Sequence, residues 1–252
     1  MCNRFAGIPR EVLDLAVGRV KAEGAPDGCV ALARELAAMT AGDILAGEGP
    51  RASASGSPAP QEGDVAQHEG REALATDVRS EPFDPLLSLQ LRPGASCPVL
   101  LVRDGRLAVE EMTFGYEAPW QEGRLVYNAR LERALAERDG MWSESLALRR
   151  CVAPALCFYE PDRTRTAVSK RTGRSIRQQV RFSSADGLPF YLAGIYQGRR
   201  FAVTTCPPDA TVRPVHDRMP VTLRPQDARL WLGRGYGRAL DLPRVHLVAR
   251  DE

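Results

Sequence analysis

The chain has 252 residues, with 44% hydrophobic and 26% charged side chains. That length buries a substantial core, and the balance is ordinary for a globular chain. No apolar run approaches the roughly 20 residues that cross a bilayer. Met1–Arg10 carries charge early with no apolar stretch behind it, so no membrane partner and a cytoplasmic location are expected, beside the nucleoid if the source is bacterial. Cys2, Cys29, Cys97, Cys151, Cys157 and Cys206 make no Cys-x-x-Cys pair and no zinc-type spacing with histidine. Reduced thiols, no metal and no cofactor are the expectation. The formal net charge of +2 conceals an asymmetry. Residues 1–125 hold 12 basic and 19 acidic side chains, and residues 126–252 hold 22 and 13. Arg163–Arg181 contains seven basic residues and no acidic one, which suits either an anion-facing surface or a solvated hairpin.

In chain order, residues 10–22 and 27–39 carry helical periodicity, the second behind Asp27 as N-cap. Residues 41–85 shift to Gly, Ser, Ala, Pro and acidic side chains and are expected to be a flexible insertion in an otherwise single domain. Strands are predicted at Leu86–Leu91, Pro98–Val102 and Leu107–Met112, with Asp104-Gly105 as the hairpin turn between the last two. Leu131–Glu137 and Trp142–Leu148 read as short helices. Strands follow at Cys151–Tyr159, Ile176–Phe182, Phe190–Tyr196 and Phe201–Thr205. Pro225–Leu232 is a helix with Pro in its first turn, and Val245–Ala249 is a last strand. Short strands without βαβ alternation predict an α+β fold around a curved or barrel-like, mainly antiparallel sheet with peripheral helices.

Cys2 carries the most chemistry. Removal of Met1 leaves it a free α-amine, with a reference pKa of about 7.7–8.0, beside a thiol near 8.5. A 1,2-aminothiol condenses with an aldehyde through the amine, and the thiol then closes a thiazolidine ring. The same group can attack an amide, as N-terminal nucleophile hydrolases do. Position alone does not choose between these chemistries and no role at all.

Other segments narrow the choice. Met1-Cys2-Asn3-Arg4-Phe5 opens the chain, and Asn128-Ala129-Arg130-Leu131-Glu132 follows a strand. Cys151-Val152-Ala153-Pro154 runs into Phe158-Tyr159-Glu160, and Ala193-Gly194-Ile195-Tyr196 precedes Thr204-Thr205 and His216-Asp217-Arg218-Met219-Pro220. In this order they resemble the SRAP family of SOS response-associated peptidase-like, or abasic-site processing, proteins. The resemblance covers residues 86–235 well and 1–25 loosely.

It implies that Cys2 cross-links to the ring-opened sugar of an abasic site in single-stranded DNA. Glu160 would serve as acid/base for sugar opening and imine formation, and His216 would handle protons at the ring oxygen. Asn128 would orient the amine and the sugar, while Arg4 and Arg130 would hold flanking phosphates. Phe114, Arg149, Arg150, Thr205 and Arg218 are further candidates for DNA contact, and Trp120 is either a core residue or a base-stacking platform. The implied protein is a monomeric DNA–protein cross-linking enzyme with associated lyase and peptidase activity, the latter removing its own Met1. A non-covalent single-stranded DNA module and an amidohydrolase are the rivals. Departures from the family pattern are Asn3, Cys157, Pro161 and Phe114, where Gly, Gly, Trp and Trp are usual.

Overall fold

The structure is a computed structural model and describes residues 2–18, 33–34 and 89–252. The expected helix at 27–39 apart from its residues 33–34, the insertion at 41–85 and the first part of the strand expected at Leu86–Leu91 lie outside the described residues.

Strand β1 (Arg4–Gly7) leads into helix α1 (Arg10–Ala16), whose Val12 and Leu13 are buried. The helix stops well short of residue 22 because Gly18 takes φ +72°, which closes the last turn as its amide bonds to the Leu15 carbonyl. Strand β2 (Leu89–Leu91) follows, then the hairpin of β3 (Ser96–Arg103) and β4 (Arg106–Phe114). Its turn is the one expected: Asp104 and Gly105 both have positive φ, at 47° and 76°. Two short strands, β5 (Tyr116–Glu117) and β6 (Leu125–Val126), pair with each other, and β7 (Asn128–Arg130) runs into α2 (Leu131–Ala136). After α3 (Ser143–Leu148) come β8 (Arg150–Val168), β9 (Ser175–Ser184), β10 (Phe190–Gln197) and β11 (Arg200–Cys206). The chain ends with β12 (Met219–Pro220), β13 (Thr222–Leu223), α4 (Pro225–Leu232) and β14 (Leu247–Asp251).

Among the described residues twelve strands join one curved sheet, as the α+β reading anticipated. All pairings are antiparallel except those of β11 with β4 and with β7. The organising strand is β8, whose 19 residues change neighbours along their length. Cys151 and Val152 lie between β3 and β10, and from Cys157 onward the neighbours are β1 and β9. One strand serving two pairs of partners forces the sheet to curl. Its burial follows: every residue from Cys151 to Glu160 is buried.

Aromatic side chains fill the interior. Phe158 stacks on its cross-strand partner Phe182 at 5.1 Å, and Phe114 packs against Phe5, Tyr127 and Phe201 at 5.5, 5.8 and 5.1 Å. Helix α4 is pinned to the sheet by Trp231, whose indole nitrogen donates to the carbonyls of Cys151 at 2.9 Å and Gly194 at 3.2 Å. A Cβ on Gly194 would meet the Cys151 sulfur at 2.9 Å, so glycine sets how closely β10 and β8 approach there. Gly194→Ala is expected to destabilise the chain by about 1–3 kcal/mol through overpacking. Removing the obstruction with Cys151→Ala should recover part of that loss, so the double variant costs less than the two single variants together. Urea unfolding of all four proteins measures this, and strict additivity would refute the contact.

Candidate functional site

The register of β1 on β8 brings the amino terminus to the middle of the molecule. Arg4 pairs with Tyr159 and Phe5 with Phe158, so the chain before Arg4 runs on antiparallel past Glu160. Cys2 is fully buried there, with its thiol toward the Arg4 carbonyl at 3.7 Å. Asn128 approaches from β7, which β11 holds in parallel register, and its side-chain amide donates to the Cys2 carbonyl at 3.0 Å. His216 arrives on the loop between β11 and β12, with Nε2 3.9 Å from Glu160 Oε2. The structure therefore gathers Cys2, Asn128, Glu160 and His216 from four separate segments.

The electrostatics of this cluster follow from burial. Glu160 has no exposure to solvent, and burial raises its carboxyl from 4.5 to about 7, against the opposing pull of the positively charged amino terminus. Burial, reinforced by the Glu160 charge, also holds the Cys2 thiol well above its ordinary 9.0. His216 is lowered from 6.5, first by burial and then by the amino-terminal charge. Near neutrality the site thus contains a neutral thiol, a neutral imidazole and a carboxyl that both gives and takes protons.

His216 is oriented by two opposed contacts. Its Nδ1 lies 3.1 Å from the Arg218 amide nitrogen, from which it accepts when unprotonated. It also lies 3.2 Å from the Arg218 carbonyl and 3.1 Å from Asp217 Oδ1, to which it donates when protonated. The neutral ring that accepts from Arg218 carries its proton on Nε2, toward Glu160. A ring protonated on both nitrogens can no longer accept from the Arg218 amide and donates from Nδ1 to Asp217 instead, and Asp217 is in turn ion-paired to Arg163.

Beside Asn128 an open groove of about 460 Å³ is lined by Trp120, Val126, Arg130, Met141 and Trp142 among others. Trp120 is 61% exposed there, which answers the choice between core and surface. Arg130 is exposed on the same groove.

The remaining arginines expected at DNA are held by the protein itself. Arg4 is ion-paired to Glu252, donates to Gln90 at 3.2 Å and lies 3.7 Å over the Tyr159 ring. Arg149 donates to Glu144 at 2.9 Å and to the Tyr196 carbonyl at 3.2 Å. Arg150 donates to the carbonyls of Leu146, Trp231 and Gly233, satisfying the ends of α3 and α4. Arg218 is buried, ion-paired to Glu132, and donates to the Thr205 carbonyl at 2.9 Å and hydroxyl at 3.2 Å. Phe114 has no exposed surface. Arg149, Arg150, Arg218 and Thr205 are thus each engaged with partners within the protein, and Phe114 is enclosed in the core. The sequence reading missed Glu132, which anchors the His216 loop to α2 through Arg218. It also missed Tyr127, whose hydroxyl is raised first by burial and then by the charges of Cys2 and Glu160.

A sequence model of the family SOS response associated peptidase (SRAP) matches residues 63–246. The chain belongs to the SRAP family. The abasic site processing protein YedK of Escherichia coli (strain K12) is 28% identical over 187 residues, covering 68% of this chain and 78% of its own. Two solved structures from Bordetella bronchiseptica share the fold. One covers 65% of this chain and 86% of its own, with 22% identity and a TM-score of 0.50. The other, a phage-related protein, covers 65% and 80%, with 22% identity and a TM-score of 0.52. Asn128, Glu160 and His216 of this SRAP chain lie within the span the family matches, whereas Cys2 and Arg4 precede it.

The buried carboxyl gives a direct test of these electrostatics. In the unfolded chain Glu160 ionises near 4.5 and in the folded chain near 7, so the folded state is increasingly penalised as pH rises between those values. Glu160→Gln removes that penalty. Relative to its effect at pH 4, the substitution is expected to add on the order of 3 kcal/mol of stability at pH 8. Denaturant unfolding at the two pH values measures the difference, and a pH-independent effect would contradict the burial argument.

Proposed function

We propose that this chain processes abasic DNA by covalent capture of the lesion's ring-opened sugar in single-stranded DNA through Cys2. The observation that carries the reading is the convergence on one buried residue: Asn128 grips the Cys2 carbonyl while Glu160 and His216 stand beside it. The reading is supported by membership of the SRAP family and by likeness to a protein described as processing abasic sites.

The reaction requires that Met1 be gone, so that the α-amine belongs to Cys2; self-removal of Met1 is the peptidase activity that fits. The amine adds to the C1 aldehyde and the carbinolamine loses water to give an imine. Glu160, poised near neutrality, takes the proton from the attacking amine and returns it to the departing hydroxyl. The Cys2 thiol then adds to the imine carbon, forming the C–S bond as its proton passes to nitrogen. A thiol held neutral by burial suits this order, with nitrogen attacking first and sulfur closing the ring. In the preceding opening of the hemiacetal the ionised Glu160 takes the C1 hydroxyl proton and delivers it to the ring oxygen, which becomes the free hydroxyl. His216 steadies that oxygen by a hydrogen bond from Nε2–H. An imine that escapes ring closure is the species from which strand cleavage, a lyase activity, proceeds.

The groove at Asn128 is the path for the lesion, with Trp120 and Arg130 flanking it. A stacked duplex holds its sugar away from so enclosed a nucleophile, so a single strand is the expected form. Incubation with an abasic single-stranded oligonucleotide, followed by a denaturing gel, is expected to show a heat-stable adduct. Cys2→Ala and Cys2→Ser should reduce that adduct at least a hundredfold, because neither can form the C–S bond. Arg130→Ala should leave the chemistry intact at high protein concentration, and should lower the slope of log affinity against log salt by about 0.7. Adduct formation by Cys2→Ala at the parent's level would overturn the mechanism.

A further inference from the structure

The basic segment noted in the sequence is not consumed by the site. It forms the distal part of the β8–β9 hairpin, where Thr166 pairs with Arg177, Ala167 with Ile176 and Val168 with Ser175. An irregularity between Pro161 and Thr166 separates this part from the body of the sheet. Every residue from Arg163 to Arg177 is exposed, save the half-buried Ala167 and Ser169. The hairpin therefore leaves the molecule as a two-stranded ribbon with solvent on both faces, and its tip is closed by bonds from the Gly173 amide to the Ser169 carbonyl and from the Ser169 amide to the Arg174 carbonyl.

Charge is unevenly neutralised along it. At the root, Arg163 is paired with Asp217, and Arg165 with both Asp162 and Asp251, while Arg177 donates to the Arg163 carbonyl. The Arg165 fork and the backbone amides around it hold Asp162 far below the usual carboxylate range. At the tip, Lys170, Arg171 and Arg174 have no acidic partner among the described residues.

We infer that this ribbon is a second nucleic-acid contact, which seats the duplex flanking the lesion. The inference rests on the proposed function for the location of the lesion. The root is tied to the site, since Arg163 pairs with the residue next to His216. From Arg163 to Lys170 the strand reaches roughly 23 Å at about 3.3 Å per residue, which matches about seven base-pair steps. The composition selects duplex over unpaired strand. Unpaired bases are held by aromatic platforms, and Arg163–Arg181 contains no aromatic residue. It offers instead guanidinium and ammonium groups with Thr and Ser hydroxyls, which are the donors that bind phosphates. A two-stranded ribbon also matches the width of the major groove.

The test compares the parent chain with a Lys170→Gln, Arg171→Gln, Arg174→Gln triple variant on three probes. These are a short abasic single strand of about ten nucleotides, a long abasic single strand, and a lesion-free duplex carrying a single-stranded tail. On the short strand the variant should form the Cys2 adduct at the parent's rate, within twofold. On the tailed duplex its non-covalent affinity should fall tenfold or more near 0.1 M salt, and its salt slope should shrink by about 2 to 3, at about 0.9 for each duplex phosphate lost. The long single strand should be bound nearly as well as by the parent. Unchanged binding of the tailed duplex would overturn the inference, and so would an equal loss on the long single strand. Because the duplex probe carries no lesion, a parent that fails to form the adduct defeats the proposed function without deciding the ribbon.

Discussion

The antiparallel pairing of β1 with β8 is the constraint on which the site depends. Four residue pairs fix it, from Arg4 opposite Tyr159 to Gly7 opposite Ala155. Because strand register is discrete, a slip of one residue would turn Phe5 out of the core and Cys2 away from Glu160 together. The hydrophobic pattern of Phe5-Ala6-Gly7-Ile8 thus positions the site, since burying those side chains is what holds Cys2, the proposed nucleophile, beside Glu160. Gly7 belongs to the same device: a Cβ there would meet the Leu91 side chain at 2.4 Å, so glycine lets β2 lie close against β1.

Burying a carboxylate in this way is unfavourable for folding, and under the proposed function it is what readies Glu160 to exchange protons near neutrality. Glu160 sits where β8 leaves the core, with no exposure to solvent, and it is chiefly this enclosure, with a smaller push from the Asp217 charge, that raises its pKa. The same enclosure lowers His216 and raises Cys2, so one physical cause sets three protonation states. Asp217 and Arg163 at the rim trim the balance, because their ion pair leaves Asp217 available to an imidazolium without presenting a bare negative charge to a phosphate backbone.

Much of the fold was legible because local chemistry and global structure agree. Asp104-Gly105 demanded a positive-φ turn, Pro225 opened a helix, and alternating or continuous apolar runs marked β3, β4, β10 and β11. The extent of β8 beyond Tyr159 was not legible, since Arg163–Val168 is polar and pairs only with the equally polar start of β9. Strands of two to four residues, such as β1, β7, β12 and β13, are too short to show a period at all. In the site, Cys2, Asn128, Glu160 and His216 were found by motif and are brought together by the fold. The arginines were harder. Arg150 and Arg218 bind backbone carbonyls of residues about 81 and 13 positions away, and no sequence pattern marks a carbonyl as an acceptor in need of a donor.

That distinction bears on how the chain uses arginine, which makes up all but two of its 34 basic residues. A guanidinium can satisfy several acceptors in one plane and bury its stem at the same time. Arg150 does this for the ends of two helices, and Arg218 for a carboxylate, a carbonyl and a hydroxyl at once. Such side chains are positive but electrostatically spent, so a raw excess of basic residues after residue 125 overstates the field that DNA would meet. Among the described cations that remain outward without an acidic partner are Arg130 at the groove and Lys170, Arg171 and Arg174 at the ribbon tip. The His216 loop is the link between them, since Glu132 follows Arg130 on α2 and clamps Arg218, while Asp217 clamps Arg163 at the ribbon root. Under the proposed function, a strand in the groove and a flank on the ribbon would therefore each be tied through one ion pair to the loop that carries His216.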